Sequence, residues 1–503
     1  MDIVPALQTF LGTSLDNALQ ERSPEEVETY VLALFHKIVS EVPAYRTFLA
    51  EHNIDPACIT SLDQFRQLPL TTKFNYLQQF DLAAVCRQGQ LQQCDMVAVS
   101  SGSTGEPTFW LRSVADELAI ATRFEQVFRD SFAAHERRTL AVVCFALGTW
   151  VGGLYTANCC RHLALKGYPI TVVAPGNHKP EILRVVQKLA PLFEQTILLG
   201  YPPFLKDVID TGLAQSIPWA DYNMKWVMAG EVVSEEWRSL VGQRIGSTRP
   251  CFDSAALYGT ADAGVLGNET PLSICIRRWL AQHPDSAKAL FGESRLPTLV
   301  QYDPLSRFFE VQDGTLLFSG DNGIPLVRYH IADTGGLLEF SDLMSFLATQ
   351  GFNPIAELDP QTPIRKLPFV YVFGRSQFVV SYFGANIYPE NIAVGLEQHP
   401  ICEWVTGKFV LSVQSDTDQN TKLAIAIELA PGIDPKDISI EAIGQSIQHH
   451  LVRLNSEFAN YVPTIHQKPY IELYPAGDPT YFPIGVKHRY TQPSTLKPRK
   501  QDK

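Results

Sequence analysis

The chain has 503 residues, 45% hydrophobic and 19% charged, the profile of a folded protein long enough for two or more hydrophobic cores. Its 41 basic and 53 acidic residues leave a net charge of −12, which argues against a nucleic-acid or anionic-membrane partner, since both require a basic face. Nine scattered cysteines form no Cys-x-x-Cys pair, so the composition suggests no zinc framework and reads as reduced thiols in a cytoplasmic protein. The opening residues carry no basic secretory leader, and no apolar run approaches the ~20 residues that span a bilayer.

In chain order, the first clear element is a helix over 23–42. Ser23 is its N-cap, Pro24 its first residue and Glu26 the partner of a capping box, and Val27, Tyr30, Val31, Leu34 and Ile38 recur at helical spacing until Pro43 ends it. From 96 to 275 strands alternate with helices: Met96–Val99, Thr139–Phe145, Ile170–Ala174, Gln195–Leu199 and Met224–Met228 are strand-like, and Pro180–Phe193 is helical. Such alternation predicts parallel sheet covered by helices, with ligands at the carboxyl ends of strands. Near 310 the pattern changes. Asp313-Gly314 predicts a hairpin, 338–368 reads as an irregular, proline-bearing insertion, and beyond 374 smaller strands (410–413, 423–427) precede a helix at 436–455.

Five spots carry chemistry. Ser100-Ser101-Gly102-Ser103-Thr104-Gly105-Glu106-Pro107-Thr108 follows a strand and packs hydroxyls and glycines where backbone N–H groups can wrap an anion. It lacks the lysine of the common nucleotide loop, and read alone it is also a polar surface turn. Tyr258-Gly259-Thr260-Ala261-Asp262 ends an apolar run with a ring that can face a purine and a carboxylate that can hold a cation; a plain strand-end turn is the alternative. Asp333 follows the apolar strand Ile324–Ile331, where an acid can accept both hydroxyls of a ribose or stand as an ordinary loop aspartate. Gly374-Arg375-Ser376-Gln377 suits a hinge or an interdomain linker. Gly485-Val486-Lys487-His488-Arg489 is a basic cluster that also fits a solvated face.

Taken together and in this order, the five spots resemble the adenylate-forming superfamily, and its phenylacetate–CoA ligase branch in particular. The loop 100–108 is similar to that branch's Ser-Ser-Gly-Thr-Thr-Gly-Lys-Pro-Thr, and 258–262 to its Tyr-Gly-x-Ser/Thr-Glu. Residues 328–333 resemble Tyr-Arg-Thr-x-Asp more loosely, while 374–389 resemble its Gly-Arg-x-Asp-Asp…Gly-x-Asn-x-x-Pro stretch. Val42–Arg46 and Leu68–Lys73 look like its N-terminal Val-Pro-x-Tyr-Arg and Leu-Pro-x-Thr-x-Lys, so the likeness runs over roughly 24–490. It implies an α/β fold with a large N-terminal domain of helix-covered β-sheets (1–373) and a small α+β C-terminal lid (374–503), hinged near 375–377.

The implied reaction joins a small-molecule carboxylic acid, aromatic or medium-chain, to ATP as an acyl-adenylate and then passes the acyl group to a thiol. Coenzyme A is the expected acceptor; the phosphopantetheine of a separate acyl carrier protein, or a protein cysteine, stays open, as do a homodimer and a non-catalytic nucleotide-binding homologue. Under the resemblance Ser101, Gly102, Ser103, Thr104 and Gly105 hold the triphosphate. Gly230, Glu231, Tyr258, Gly259 and Thr260 line the adenine, Asp333 and Arg375 hold the ribose, and Asp262 binds Mg²⁺. Lys487 on the lid, with Thr104, serves catalysis; Lys497 and Lys500 are alternatives to Lys487. Trp150, Gly153 and Tyr201 line the acyl pocket. Departures fall at Glu106, Ala261, Asp262, Gln377 and the extra residue between Gly485 and Lys487, where the family's patterns have other residues or spacing.

Overall fold

The computed structural model describes residues 3–100, 108–292, 296–375, 380–430, 432–482 and 490–491. The chain divides into two compact units. The first takes Met1–Val99, Phe109–Gly200 and Leu205–Gly374; the bulk of the second is Arg375–Lys503, together with Tyr201–Phe204.

Strands β1 (Met96–Ser100) and β2 (Thr108–Arg112), in the first unit except for Ser100 and Thr108, form a two-stranded sheet. Eleven more strands form one large sheet: β3 (Thr139–Val143), β4 (Ile170–Val173), β5 (Gln195–Gly200), β6 (Met224–Ala229), β7 (Ser254–Thr260), β8 (Gly264–Asn268), β9 (Thr298–Gln301), β10 (Phe308–Gln312), β11 (Thr315–Gly320), β12 (Leu326–Leu338) and β13 (Phe369–Arg375). Their spatial order is β10-β11-β12-β13-β9-β8-β7-β6-β5-β3-β4. The neighbours β4-β3-β5-β6-β7 are all parallel, with helices such as Val151–Leu165 and Lys179–Leu189 in the crossovers. This is the parallel, helix-covered arrangement expected of 96–275, but only for the strands from β3 to β7; β1 stands in its own two-stranded sheet and β8 runs antiparallel to β7. Beyond β7 the sheet turns antiparallel through β8, β9 and β13.

Local chemistry accounts for the boundaries. Ser23 and Glu26 close a complete capping box on Pro24–Glu41, whose Val31, Leu34, Phe35 and Ile38 are buried. Asp313 (φ 52°) and Gly314 (φ 73°) make the tight β10–β11 turn, both in the left-handed region that a primed hairpin turn requires. Two expectations need correction. The stretch 338–368 is not wholly irregular, because Phe340–Thr349 is a helix that buries Leu343 and Leu347 in a secondary core. Asp333 does not follow a strand; it lies inside β12, a strand bent by left-handed Arg328 (φ 45°) and Ala332 (φ 64°).

The second unit contains the hairpin β14 (Val380–Tyr382) and β15 (Ala385–Ile387), turned at Phe383 and Gly384. A three-stranded sheet follows: β16 (Val405–Ser415) antiparallel to β17 (Thr421–Leu429), and β18 (Tyr470–Tyr474) parallel to β17. The helix Ile440–Leu454 packs so tightly on Pro389–Leu396 that a Cβ on Gly395 would lie 2.8 Å from Ile447 Cα. All nine cysteines of the chain are free, and no helix among the described residues is long and apolar enough to cross a membrane.

Candidate active site

Because β3, β5, β6 and β7 run parallel, their carboxyl ends share one edge of the sheet. From that edge emerge the Phe145–Val151 connection, the Gly230-Glu231 turn and the Tyr258–Asp262 segment. The register Ala229↔Leu257 carries Gly230 and Glu231 alongside Tyr258. At the same edge Val99 of β1 donates its N–H to Thr149 O at 2.8 Å and bridges to Trp150, so the strand that leads into the Ser/Thr/Gly loop ends beside the connection after β3.

Asp333 arrives from farther away. Its strand β12 is separated from β7 by β13, β9 and β8. Four strand spacings on a flat sheet would be roughly 19 Å. Instead Tyr258 Oη donates to Asp333 Oδ2 at 2.6 Å, so the sheet curls to bring the two together. Both side chains are buried, and the Tyr258 ring packs nearly parallel to Phe309 at 6.3 Å. Strand β12 is pinned by the N-terminal segment. Thr71 donates through its hydroxyl to Val327 O (2.7 Å) and through its N–H to Arg328 O (3.2 Å), and its carbonyl accepts from His330 N (2.9 Å). Arg328 reaches both Glu310 carboxylate oxygens through Nε at 3.1 Å and donates Nη1 to Leu68 O. The segment expected to resemble a family signature thus works as a strap on the strand that carries Asp333.

The walls at β6 and β7 rest on a buried four-charge cluster. Arg238 Nη2 donates to both oxygens of Glu269 at 2.8 Å, and Arg277 Nη1 lies 2.9 Å from Glu269 and from Glu235. Glu269 also accepts from Ala256 N of β7 at 2.7 Å, while Arg277 Nη2 donates to Val233 O, just past the Gly230-Glu231 turn, at 2.8 Å. Burial pushes the Glu269 carboxyl upward, but Arg238 and Arg277 outweigh it and hold its pKa below the ordinary glutamate value.

Asp262 sits half-buried in the turn between β7 and β8 and makes no hydrogen bond or ion pair with any described residue. Thr260 Oγ1 accepts from Ala263 N at 3.2 Å within the same turn. Gly259 is required by close approach, since its Cβ would lie 2.7 Å from Gly264 O. No group of three or more His, Cys, Asp and Glu side chains among the described residues is arranged to hold a metal. One unpartnered carboxylate fits magnesium, which is commonly held by one or two carboxylates plus substrate phosphates and water.

Eight expected residues therefore come to one edge: Trp150, Gly230, Glu231, Tyr258, Gly259, Thr260, Asp262 and Asp333. Gly153 begins the helix after Trp150, where a Cβ would meet Ala146 O at 2.2 Å, so its small size serves helix packing. Tyr201 groups with the second unit, its ring 5.0 Å from that of Tyr461. Arg375 ends β13, and its side chain lies outside the described residues, as do Ser101, Gly102, Ser103, Thr104, Gly105 and Lys487. The segment holding Lys487 falls between Phe482, buried in the second unit's core, and Tyr490, whose carbonyl accepts from Leu411 N at 2.8 Å. Sequence reasoning missed Arg238, Arg277, Glu269, Arg328 and Glu310. The available signal was a charge inside an apolar run, as in Leu326-Val327-Arg328-Tyr329, which burial obliges to find a partner.

Comparison with known proteins fits this fold. The chain is 23% identical over 394 residues to a phenylacetate–coenzyme A ligase of Thermus thermophilus, covering 77% of this chain and 76% of that protein. Among solved structures, 2-hydroxyisobutyryl-CoA ligase with 2-HIB-AMP and CoA in the thioesterification state superposes with a TM-score of 0.65 at 15% identity, covering 94% of this chain and 91% of that one. The same enzyme in the postadenylation state with 2-HIB-AMP gives a TM-score of 0.52 at 14% identity over 93% and 88%. No family model matches the chain. The fold, a large sheet-based domain and a smaller C-terminal one, is the one these adenylate-forming enzymes have. In sequence the chain is similar to a phenylacetate–coenzyme A ligase over three quarters of both chains.

Proposed function

We propose that this chain is an AMP-forming acid–thiol ligase that activates a small carboxylic acid with Mg·ATP and transfers the acyl group to coenzyme A. The observation that carries the reading is the Tyr258–Asp333 hydrogen bond, which joins two distant strands at the ligand-binding edge of the sheet beside Gly230 and Glu231. Its purpose is legible in nucleotide chemistry. A buried carboxylate held by a tyrosine hydroxyl has a fixed direction, and a fixed carboxylate accepts paired ribose hydroxyls.

In the first step a carboxylate oxygen of the acid attacks the α-phosphorus of ATP. The bond from that phosphorus to the bridging oxygen breaks, and pyrophosphate leaves. In the second step the thiol loses its proton, its sulfur attacks the acyl carbon, and AMP leaves as the thioester forms. Asp333, with Arg375, orients the ribose; Tyr258, Gly259, Thr260, Gly230 and Glu231 flank the base. Ser101, Gly102, Ser103, Thr104 and Gly105 supply donors to the phosphates. Asp262 holds the magnesium, which when bound neutralises phosphate charge. Lys487 stabilises negative charge developing at the α-phosphate. Trp150, Gly153 and Tyr201 bound the acyl group, and the chain beyond Gly374 acts as a lid whose movement admits the thiol.

The test is pyrophosphate exchange into ATP across a panel of aromatic, medium-chain and 2-hydroxy acids, followed by product analysis with coenzyme A or a phosphopantetheinylated carrier protein. Acid-dependent exchange with thioester formation on coenzyme A is expected. Nucleotide binding without exchange for any acid would overturn the reading, and acyl transfer to the carrier alone would replace the acceptor.

A further inference from the structure

The turn that bears Asp262 is held from beneath by two arginines that the reaction described above does not use. Arg112, at the end of β2, donates Nη2 to Ala261 O. Arg307, just before β10, donates Nη2 to Ala263 O at 3.1 Å. Each carbonyl flanking Asp262 is thus taken by a different guanidinium. The arginines are 1% and 3% exposed, and neither forms an ion pair with any described carboxylate. Among the described residues the Nε of each is buried without a partner, and their remaining bonds go to the carbonyls of Leu111 and Ser306.

Burying a charge is costly, and although both arginines feel the charge of the buried Asp116 carboxylate, neither makes a hydrogen-bonded pair with it and both turn a guanidinium nitrogen to this turn instead. A protein core that needed only two backbone carbonyls satisfied would use neutral donors. Two guanidiniums spent on one short turn argue that the position of that turn matters to something charged nearby. The turn is rigid for other reasons too. Gly264 has φ 70°, with Ile120 Cδ1 only 2.5 Å from where its Cβ would be, and Thr260 caps Ala263 N. What the turn displays is the carboxylate of Asp262, which has no partner among the described residues.

We infer that Arg112 and Arg307 are positioning residues that clamp the Ala261–Ala263 turn, so that the Asp262 carboxylate meets the magnesium of a bound Mg·ATP. The inference rests on the reading of Asp262 as the metal-binding residue. Because aspartate is one methylene shorter than glutamate, the side chain has little reach to correct a displaced backbone, and a clamp on the backbone serves in its place. Residues that orient a metal-binding group commonly change metal affinity by about 10–100-fold when replaced.

The experiment titrates Mg²⁺ into the full-length protein with ATP and, separately, measures AMP binding by calorimetry without metal. Arg307→Lys and Arg112→Lys keep the charge but lose the planar fork that reaches the carbonyl. Each is expected to raise the Mg²⁺ concentration needed for half-maximal ATP binding by about tenfold, while AMP affinity stays within about twofold. In an Asp262→Asn background, Arg307→Lys is expected to add nothing further to the Mg²⁺ requirement, because both changes act through one carboxylate. An unchanged Mg²⁺ requirement in both lysine variants would overturn the clamp. So would a parallel loss of AMP binding, which marks a merely structural role, or full additivity with Asp262→Asn. Wild-type protein that binds neither ATP nor AMP would instead overturn the nucleotide reading itself, a result distinct from all three.

Discussion

At the scale of single residues, the site depends on pairs in which one side chain aims another. Removing the Tyr258 hydroxyl leaves the buried Asp333 oxygen without its 2.6 Å donor. A hydrogen bond to a charged carboxylate is worth about 1.5–3 kcal/mol, so Tyr258→Phe is expected to weaken AMP binding roughly tenfold in calorimetry while the fold persists. The Glu269 cluster makes a different demand. Removing one partner of a buried ion cluster costs about 3–5 kcal/mol, so Arg277→Met is expected to lower the unfolding temperature strongly. Acid acts on the same group. Glu269 has its folded pKa depressed below the ordinary 4.5, so its ion pairs contribute fully above that pH and are lost as pH falls through the depressed value. Melting curves between pH 6 and pH 3 should therefore show a steepening loss of stability below about 4.5. A Glu269→Gln variant, less stable at neutral pH, should show a shallower acid dependence.

Among the elements, two helices show how local and tertiary terms compete. The capping box on Pro24–Glu41 satisfies end groups with the chain's own neighbours, so its worth is local. Ser23→Ala is expected to cost about 1 kcal/mol, read as a small fall in melting temperature. Gly153 sits in the first turn of Val151–Leu165, where propensity alone favours alanine by roughly 0.5–1 kcal/mol. The added methyl would lie 2.2 Å from Ala146 O, closer than any real contact, and must push the helix off the connection after β3. Overpacking of this kind costs about 1–3 kcal/mol and exceeds the propensity gain, so Gly153→Ala is expected to destabilise the protein in thermal unfolding. These elements also show what could be read in advance. Residues 23–42 announced a helix because cap, proline and apolar period agree over a short stretch. The helix Phe340–Thr349 was missed because the prolines of the surrounding segment, at 354, 360, 363 and 368, dominate the composition while the helix itself contains none.

For the whole molecule, a ligand that binds only the folded state raises its stability by mass action. Mg·ATP at about a hundred times its dissociation constant should add roughly 2.7 kcal/mol, visible as a rise in melting temperature that Asp333→Ala abolishes. Under the proposed mechanism Lys487→Ala is expected to slow adenylation by about 10²–10³ while sparing AMP binding; equal pyrophosphate exchange in variant and wild type would remove Lys487 from the mechanism. The amino-acid sequence by itself determined the strand–helix alternation of 96–275, the Asp-Gly hairpin and the residue types a nucleotide requires. Each depends on neighbours within a few positions, where periodicity and turn chemistry act. Only the tertiary structure decided that Tyr258 and Asp333 touch, that Thr71 straps β12 and that Arg112 and Arg307 support the Asp262 turn. Those contacts join residues 75, 256 and 149 positions apart for Tyr258–Asp333, Thr71–Val327 and Arg112–Ala261, and 44 apart for Arg307–Ala263. Curl of a large sheet and burial of charge set such distances, and neither has a period that a linear chain displays.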